Sequence, residues 1–135
     1  MFIILRGIEI IMAELTHQQI ICKLERRLER MGLEVNANKE FRLKNRDWKS
    51  YDKVPKSYDG EIDVYGIDKK KKRIIAIEVK ETLSDKGKTS AHRQLRQDIF
   101  FLKEDEDTKG FNIITMFAYG EHNSRGYFIK GYKPN

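Results

Sequence analysis

The stretch Asp59-Gly60-Glu61-Ile62-Asp63-Val64-Tyr65-Gly66, with its continuation Ile74-Ile75-Ala76-Ile77-Glu78-Val79-Lys80, decides how this chain is read. Both segments read as β-strands, in which residues two apart share a face. Glu61, Asp63 and Tyr65 then fall on one face, with Ile62 and Val64 on the other. In the second strand Ala76, Glu78 and Lys80 share a face, opposite Ile75, Ile77 and Val79. Paired as a hairpin with matching faces, the strands bring Asp63, Glu78 and Lys80 to one place. Two carboxylates and an ammonium beside an aliphatic core are costly to desolvate, which points to chemistry rather than packing.

Helical spacing precedes this pair. Ile20, Leu24, Leu28 and Met31, widened by Ile21, predict a helix over Thr16 to Met31. Thr16 suits its N-cap, and Gly32 a left-handed residue just beyond its end. Leu33 to Leu43 reads as a strand with Leu33, Val35 and Ala37 on one side, and Asn36 and Asn38 allow a turn or bulge within it. Lys44 to Tyr58 has no periodicity. It interleaves Lys44, Arg46, Lys49, Lys53 and Lys56 with Trp48, Tyr51 and Tyr58. Cations neutralise phosphates and aromatic faces stack on bases, so Lys44, Arg46, Trp48, Lys49 and Lys53 are candidate nucleic-acid contacts. A solvated loop with Trp48 folded back on the core is the plainer alternative.

Beyond the two central strands, which are joined by a charged turn from Asp68 to Arg73, Leu83 to Lys88 reads as a polar linker. Ser90 to Lys103 reads as a second helix, with Ala91, Leu95, Ile99 and Leu102 as its apolar stripe and Thr89 or Ser90 as its cap. The acidic run Glu104 to Asp107 is unfavourable at a helix C-terminus and reads as loop. Phe111 to Tyr119 is apolar enough for a strand buried on both faces, and Tyr127 to Ile129 makes a last short strand. The order α-β-β-β-α-β-β predicts an α/β fold in a single domain over residues 1–135.

The segment Met1 to Met12 is apolar but broken by Arg6 and Glu9. It reads either as an edge strand or as an extension outside the core over residues 1–11. Lys and Arg number 27 against 21 Asp and Glu, a net charge of +6 that favours an anionic partner. No stretch has the length of a membrane span. The single cysteine, Cys22, excludes an internal disulfide and a cysteine metal cage and suits a reducing, cytoplasmic setting; it is expected to pack in the core.

Hydrolysis of a phosphodiester needs positive charge on the non-bridging oxygens, an activated water and a stabilised leaving oxygen. Two carboxylates that hold a hard divalent cation, with a lysine beside them, can supply all three. Asp63 and Glu78 are the candidate metal ligands, Lys80 the candidate lysine, and the Val79 carbonyl can complete the metal's shell. Oxygen ligands favour Mg2+ or Mn2+ over zinc.

Asp63, then Glu78-x-Lys80, followed by a helix and a strand, resembles the PD-(D/E)xK, or restriction endonuclease-like, superfamily, which includes archaeal Holliday-junction resolvases and RecB-type nucleases. Gly60-Glu61-Ile62-Asp63 with Glu78-Val79-Lys80 is also similar to its small YraN-type branch. The resemblance covers roughly Thr16 to Tyr119. It implies an αβββαβ core with a central mixed sheet flanked by helices, Mg2+- or Mn2+-dependent cleavage of DNA, and a homodimer if the chain acts as a junction resolvase. Glu61-Ile62 stands where the family name has its proline. Resolvases carry a further acid on the first helix, where this chain offers His17, Gln18 and Gln19, with Glu14 just before. RecB-type members have a glutamine on the helix after the lysine and a tyrosine four residues on. Gln94 matches the first, and Asp98 stands in place of the second. A non-catalytic nucleic-acid-binding module that keeps the fold is the alternative function.

Overall fold

Thr16 caps the first helix as its sequence predicts. In the computed structural model, which describes residues 2–5, 8–11, 14–44, 57–81, 85–121 and 125–131, helix α1 spans His17–Arg30. The Gln19 N–H donates to Thr16 Oγ1 at 3.2 Å, and the Thr16 N–H donates to Gln19 Oε1 at 2.8 Å. This reciprocal capping box satisfies two N–H groups at the helix start. At the other end Gly32 takes a positive φ of 83°. The Gly32 N–H bonds to the Glu29 carbonyl and the Leu33 N–H to the Leu28 carbonyl, the two bonds of a Schellman ending.

Five strands form one mixed sheet: β3 (Glu34–Lys44), β4 (Ser57–Asp68), β5 (Arg73–Lys80), β6 (Asn112–Gly120) and β7 (Tyr127–Gly131), in that spatial order. Every neighbouring pair is antiparallel except β5 and β6. A parallel pair needs a crossover, and helix α2 (Asp85–Glu104) supplies it. Among the described residues, strands β1 (Phe2–Leu5) and β2 (Ile8–Ile11) pair only with each other, so neither adds a strand to the five-stranded sheet.

Strand alternation sorts the core into two clusters. Val64, Ile77, Val79 and Ala118 pack with Ile20, Ile21, Leu24 and Leu28 of α1, and Leu33, Val35 and Ala37 join at the margin. Tyr65, Ile67, Ile74 and Ala76 pack on the opposite face with Leu102 of α2. There Phe41 and Phe101 stack with ring centroids 4.8 Å apart. The architecture is α/β: a five-stranded mixed sheet between two helices.

Several sequence expectations need correction. Ile62 belongs to the Tyr65 cluster rather than sharing a face with Val64. The alternation is interrupted at Asp63, where the β3–β4 register passes from Ala37↔Val64 to Lys39↔Ile62 and the intervening Asn38 has φ 53°. Asparagine tolerates that left-handed conformation better than most residues. Helix α2 starts at Asp85 rather than Ser90, so Gly87, Thr89 and Ser90 lie inside it. A single internal glycine costs only about 1 kcal/mol. Cys22 is exposed, since it falls outside the stripe of Ile20, Ile21, Leu24 and Leu28. Strand β6 is covered unevenly, with Thr115, Phe117 and Ala118 buried and Ile113, Ile114 and Met116 only partly so. Both ends of the expected loop from Lys44 to Tyr58 are strand, since Lys44 ends β3 and Ser57 and Tyr58 open β4. Arg46, Trp48, Lys49 and Lys53 lie outside the described residues.

Thr16→Ala removes the acceptor for the Gln19 N–H and should cost about 1 kcal/mol in urea unfolding, with Thr16→Ser close to wild type. Gly120→Ala should cost about 1–3 kcal/mol, because a Cβ there would sit 2.5 Å from the Glu81 backbone oxygen that accepts the Gly120 N–H.

Candidate functional site

The ladder between β4 and β5 ends at Val64↔Ile77. Beyond it β4 remains paired with β3 as far as Lys44↔Ser57, and β5 remains paired with β6 as far as Lys80↔Tyr119. The sheet therefore forks, and Asp63 and Glu78 are the first residues past the fork. The Val79 N–H donates to Asp63 Oδ2 at 2.7 Å. A side chain thus takes a backbone donor facing the gap.

Asp63 and Glu78 lie within hydrogen-bonding reach of each other, and Lys80 follows two residues after Glu78 on β5. Asp63 and Glu78 are both buried, Glu78 with only 1% of its surface exposed. Lys80 Nζ donates to Gln94 Oε1 of α2 at 2.7 Å. Val79 contributes its main chain, while its side chain packs in the α1 cluster.

Two further residues stand at this site. His17, the first residue of α1, places Nε2 3.3 Å from Asp63 Oδ2, and its backbone N–H donates to Glu81 Oε1 at 3.2 Å. The helix position at which a further acid is implied by resemblance thus presents an imidazole, and it is His17 rather than Glu14 that the structure pairs with Asp63. Asp98 of α2 is 1% exposed and faces Glu78. Gln94 and Asp98 are one helical turn apart, which gives a signal for Asp98 in the sequence: a helix rises about 6 Å over four residues and a strand about 6.6 Å over two. A helix antiparallel to β5 that puts Gln94 at Lys80 therefore puts Asp98 near Glu78.

The electrostatics are uneven. Burial penalises the Asp63 carboxylate, but hydrogen bonds from His17, Glu78 and the Val79 N–H outweigh it, and the Asp63 pKa is lowered. The hydrogen bond with Asp63 raises the His17 pKa, burial opposing it. This contact stabilises the fold between the two ordinary values, 3.8 and 6.5. Its contribution is lost as pH falls through the lowered Asp63 value or rises through the raised His17 value. Burial, and then the nearby carboxyls of Asp63 and Asp98, push Glu78 well above the ordinary range. Burial raises Asp98 too.

Glu78 Oε2 and Asp98 Oδ2 are buried without a hydrogen-bond partner. Unpartnered carboxyl oxygens of this kind, here on Glu78 and Asp98 beside Asp63, are the hard donors that a divalent cation takes as ligands. Among the described residues no group of three His, Cys, Asp or Glu side chains is arranged to hold a metal by itself, so water or backbone oxygens would complete the shell. Also among the described residues, no helix is long and apolar enough to cross a membrane. Comparison with family models, curated proteins and solved structures gives no match to the chain.

The raised Glu78 pKa carries a stability consequence. Above its ordinary value of 4.5 the unfolded chain loses this proton before the folded chain does, so stability falls as pH rises. In chelator near neutral pH, Glu78→Gln should therefore gain about 0.5–2 kcal/mol in denaturant unfolding, and the gain should shrink at acid pH. A variant no more stable than wild type near neutral pH would show that the protein already compensates the Glu78 charge.

Proposed function

We propose that this chain is a Mg2+- or Mn2+-dependent nuclease that hydrolyses phosphodiester bonds in DNA, with the restriction endonuclease-like fold. The observation that carries this reading is the meeting of Asp63, Glu78, Lys80 and Gln94 at one fork in the sheet. The order α1-β3-β4-β5-α2-β6 supports it, since it agrees with the αβββαβ core that the resemblance implies. The net charge of +6 supports an anionic substrate.

Hydrolysis forms a bond from a water oxygen to phosphorus and breaks one ester P–O bond. The water loses a proton, and the leaving oxygen gains one. Asp63, Glu78 and the Val79 carbonyl would hold the divalent ion, which when bound supplies Lewis acidity and makes a coordinated water more acidic. The Lys80 ammonium, held by Gln94, offers positive charge and hydrogen bonds to the attacking water or to a non-bridging oxygen. His17 and the Val79 N–H fix the Asp63 carboxylate, so that it need not reorganise when substrate arrives. A structure-selective endonuclease of the junction-resolvase kind, acting as a homodimer in a cytoplasmic setting, is the finer form of this proposal.

Cleavage of duplex, single-stranded, flap and four-way-junction DNA with Mg2+ or Mn2+ tests it. Wild type should cut at least one substrate. Asp63→Asn and Glu78→Gln should lose activity by a factor of at least about 100, comparable with loss of a principal electrostatic group. Lys80→Ala should reduce turnover while leaving metal affinity close to wild type. Tight, salt-sensitive binding without cleavage of any substrate would favour the non-catalytic binding module.

A further inference from the structure

The site does not end at β5. In the parallel ladder Glu78 pairs with Phe117 and Lys80 with Tyr119. In the next ladder Phe117 pairs with Lys130 and Tyr119 with Phe128. Directly paired residues point to the same face of a sheet. Two rows therefore cross three strands on the α2 side: Glu78, Phe117, Lys130 and, one step beyond, Lys80, Tyr119, Phe128.

The rings in these rows touch in sequence from core to solvent. Phe117 is fully buried. Its ring centroid is 5.6 Å from that of Tyr119, which in turn is 5.3 Å from that of Phe128. Phe128 is 49% exposed. Lys130 Nζ lies 5.9 Å from the Phe117 centroid and 6.0 Å from the Tyr119 centroid, within the range of a cation–π contact. The exposed Phe128 ring thus rests on the half-buried Tyr119, which rests in turn on the buried Phe117, and a cation stands over the inner two rings. Phe128 is about two strand spacings, roughly 10 Å, from Lys80.

We infer that Tyr119 and Phe128 form a stacking platform for an unpaired nucleobase of a DNA strand, whose flanking phosphates are met by Lys80 and Lys130. Aromatic faces beside cations are the two elements by which proteins hold single strands without regard to sequence. A base inside a duplex has both faces covered by its neighbours, so an open ring on the protein can accept only an unpaired or extruded base. The platform runs on from Lys80 along one row, and this gives the proposed nuclease a substrate class: DNA with an unpaired strand, such as an overhang, flap or frayed end, beside the phosphate to be cut. Cutting beside the platform rests on the nuclease reading; the binding does not.

Fluorescence anisotropy in chelator, where nothing is cleaved, tests the platform with a labelled single-stranded oligonucleotide and, as competitor, a relaxed closed circular duplex, which has neither ends nor unpaired bases. Phe128→Ala should weaken single-strand binding about ten-fold and change duplex binding by less than about two-fold, and Phe128→Trp should restore the single-strand affinity. Single-strand affinity unchanged in Phe128→Ala, or an equal loss on the closed duplex, would overturn the inference. A second measurement needs no variant: 2-aminopurine in the oligonucleotide should be quenched when wild type binds, and full fluorescence in the bound state at every position tried would equally overturn it. Neither measurement reads cleavage. Phe128-dependent binding without nuclease activity would therefore leave the platform standing alone, whereas intact cleavage with Phe128 irrelevant would remove the platform and keep the nuclease.

Discussion

The bond from the Val79 N–H to Asp63 Oδ2 is the contact on which the site depends. A sheet interior normally pairs every backbone donor with a neighbouring strand, because a buried unpaired N–H costs as much as a lost hydrogen bond. Here β4 and β5 separate, and a carboxylate accepts one of the donors that faces the gap. That substitution keeps Asp63 ionised inside the protein and opens room next to it. It also demands further support, since a buried carboxylate needs more than one donor. His17 provides the second, at the start of α1. The Thr16 cap fixes where α1 begins, Glu81 accepts the His17 N–H, and the Glu81 carbonyl is bonded by Gly120 of β6. A helix start, the end of β5 and the end of β6 are thereby tied together through Asp63 and Glu81.

The second constraint is the crossover. Parallel neighbours cannot be joined by a tight turn, so the chain leaves β5 after Lys80 and returns through α2 before β6. That route brings α2 back over the residues just left. Gln94 meets Lys80, and one turn later Asp98 meets Glu78. Topology thus supplies both a partner that satisfies the lysine and an acid that crowds the glutamate. The first contact fixes an ammonium in place. The second raises the cost of ionising Glu78, and a protein selected for stability alone would have little reason to retain it.

Much of this was legible in the sequence because local rules and tertiary context agree. Thr16 and Gly32 mark the ends of α1, and alternation along Ile74 to Lys80 assigns Ile75, Ile77 and Val79 to one helix and Ala76, Glu78 and Lys80 to the other face. The pairing of β4 with β5 was readable from the turn at Asp68 to Arg73. What escaped depends on long-range geometry. His17 has no periodic or motif signal, since its role comes from where α1 starts relative to Asp63, more than forty residues away. The face change at Ile62 falls where the register sets the left-handed Asn38 of a different strand opposite Asp63. Helix α2 begins early because the helix continues through Gly87, a residue that composition reads as linker. The rows through Tyr119 and Phe128 could not be seen at all before the β5–β6–β7 registers were known.

Charge is distributed in opposition to the proposed substrate at one point and in its favour around it. A phosphate that approaches Asp63, Glu78 and Asp98 meets like charge in a buried place, where screening is weak. Attraction must therefore come from elsewhere on the chain, whose net charge is +6. Lys80 stands between the two regimes, tied to Gln94 and next to the acids. A module that only bound phosphate would be better served by removing the carboxylates, because each one opposes the ligand, and the buried Glu78 and Asp98 are costly to ionise as well. Retention of Asp63 with two donors, and of Glu78 with none for Oε2, makes sense when the acids answer to something positively charged that the phosphate itself needs.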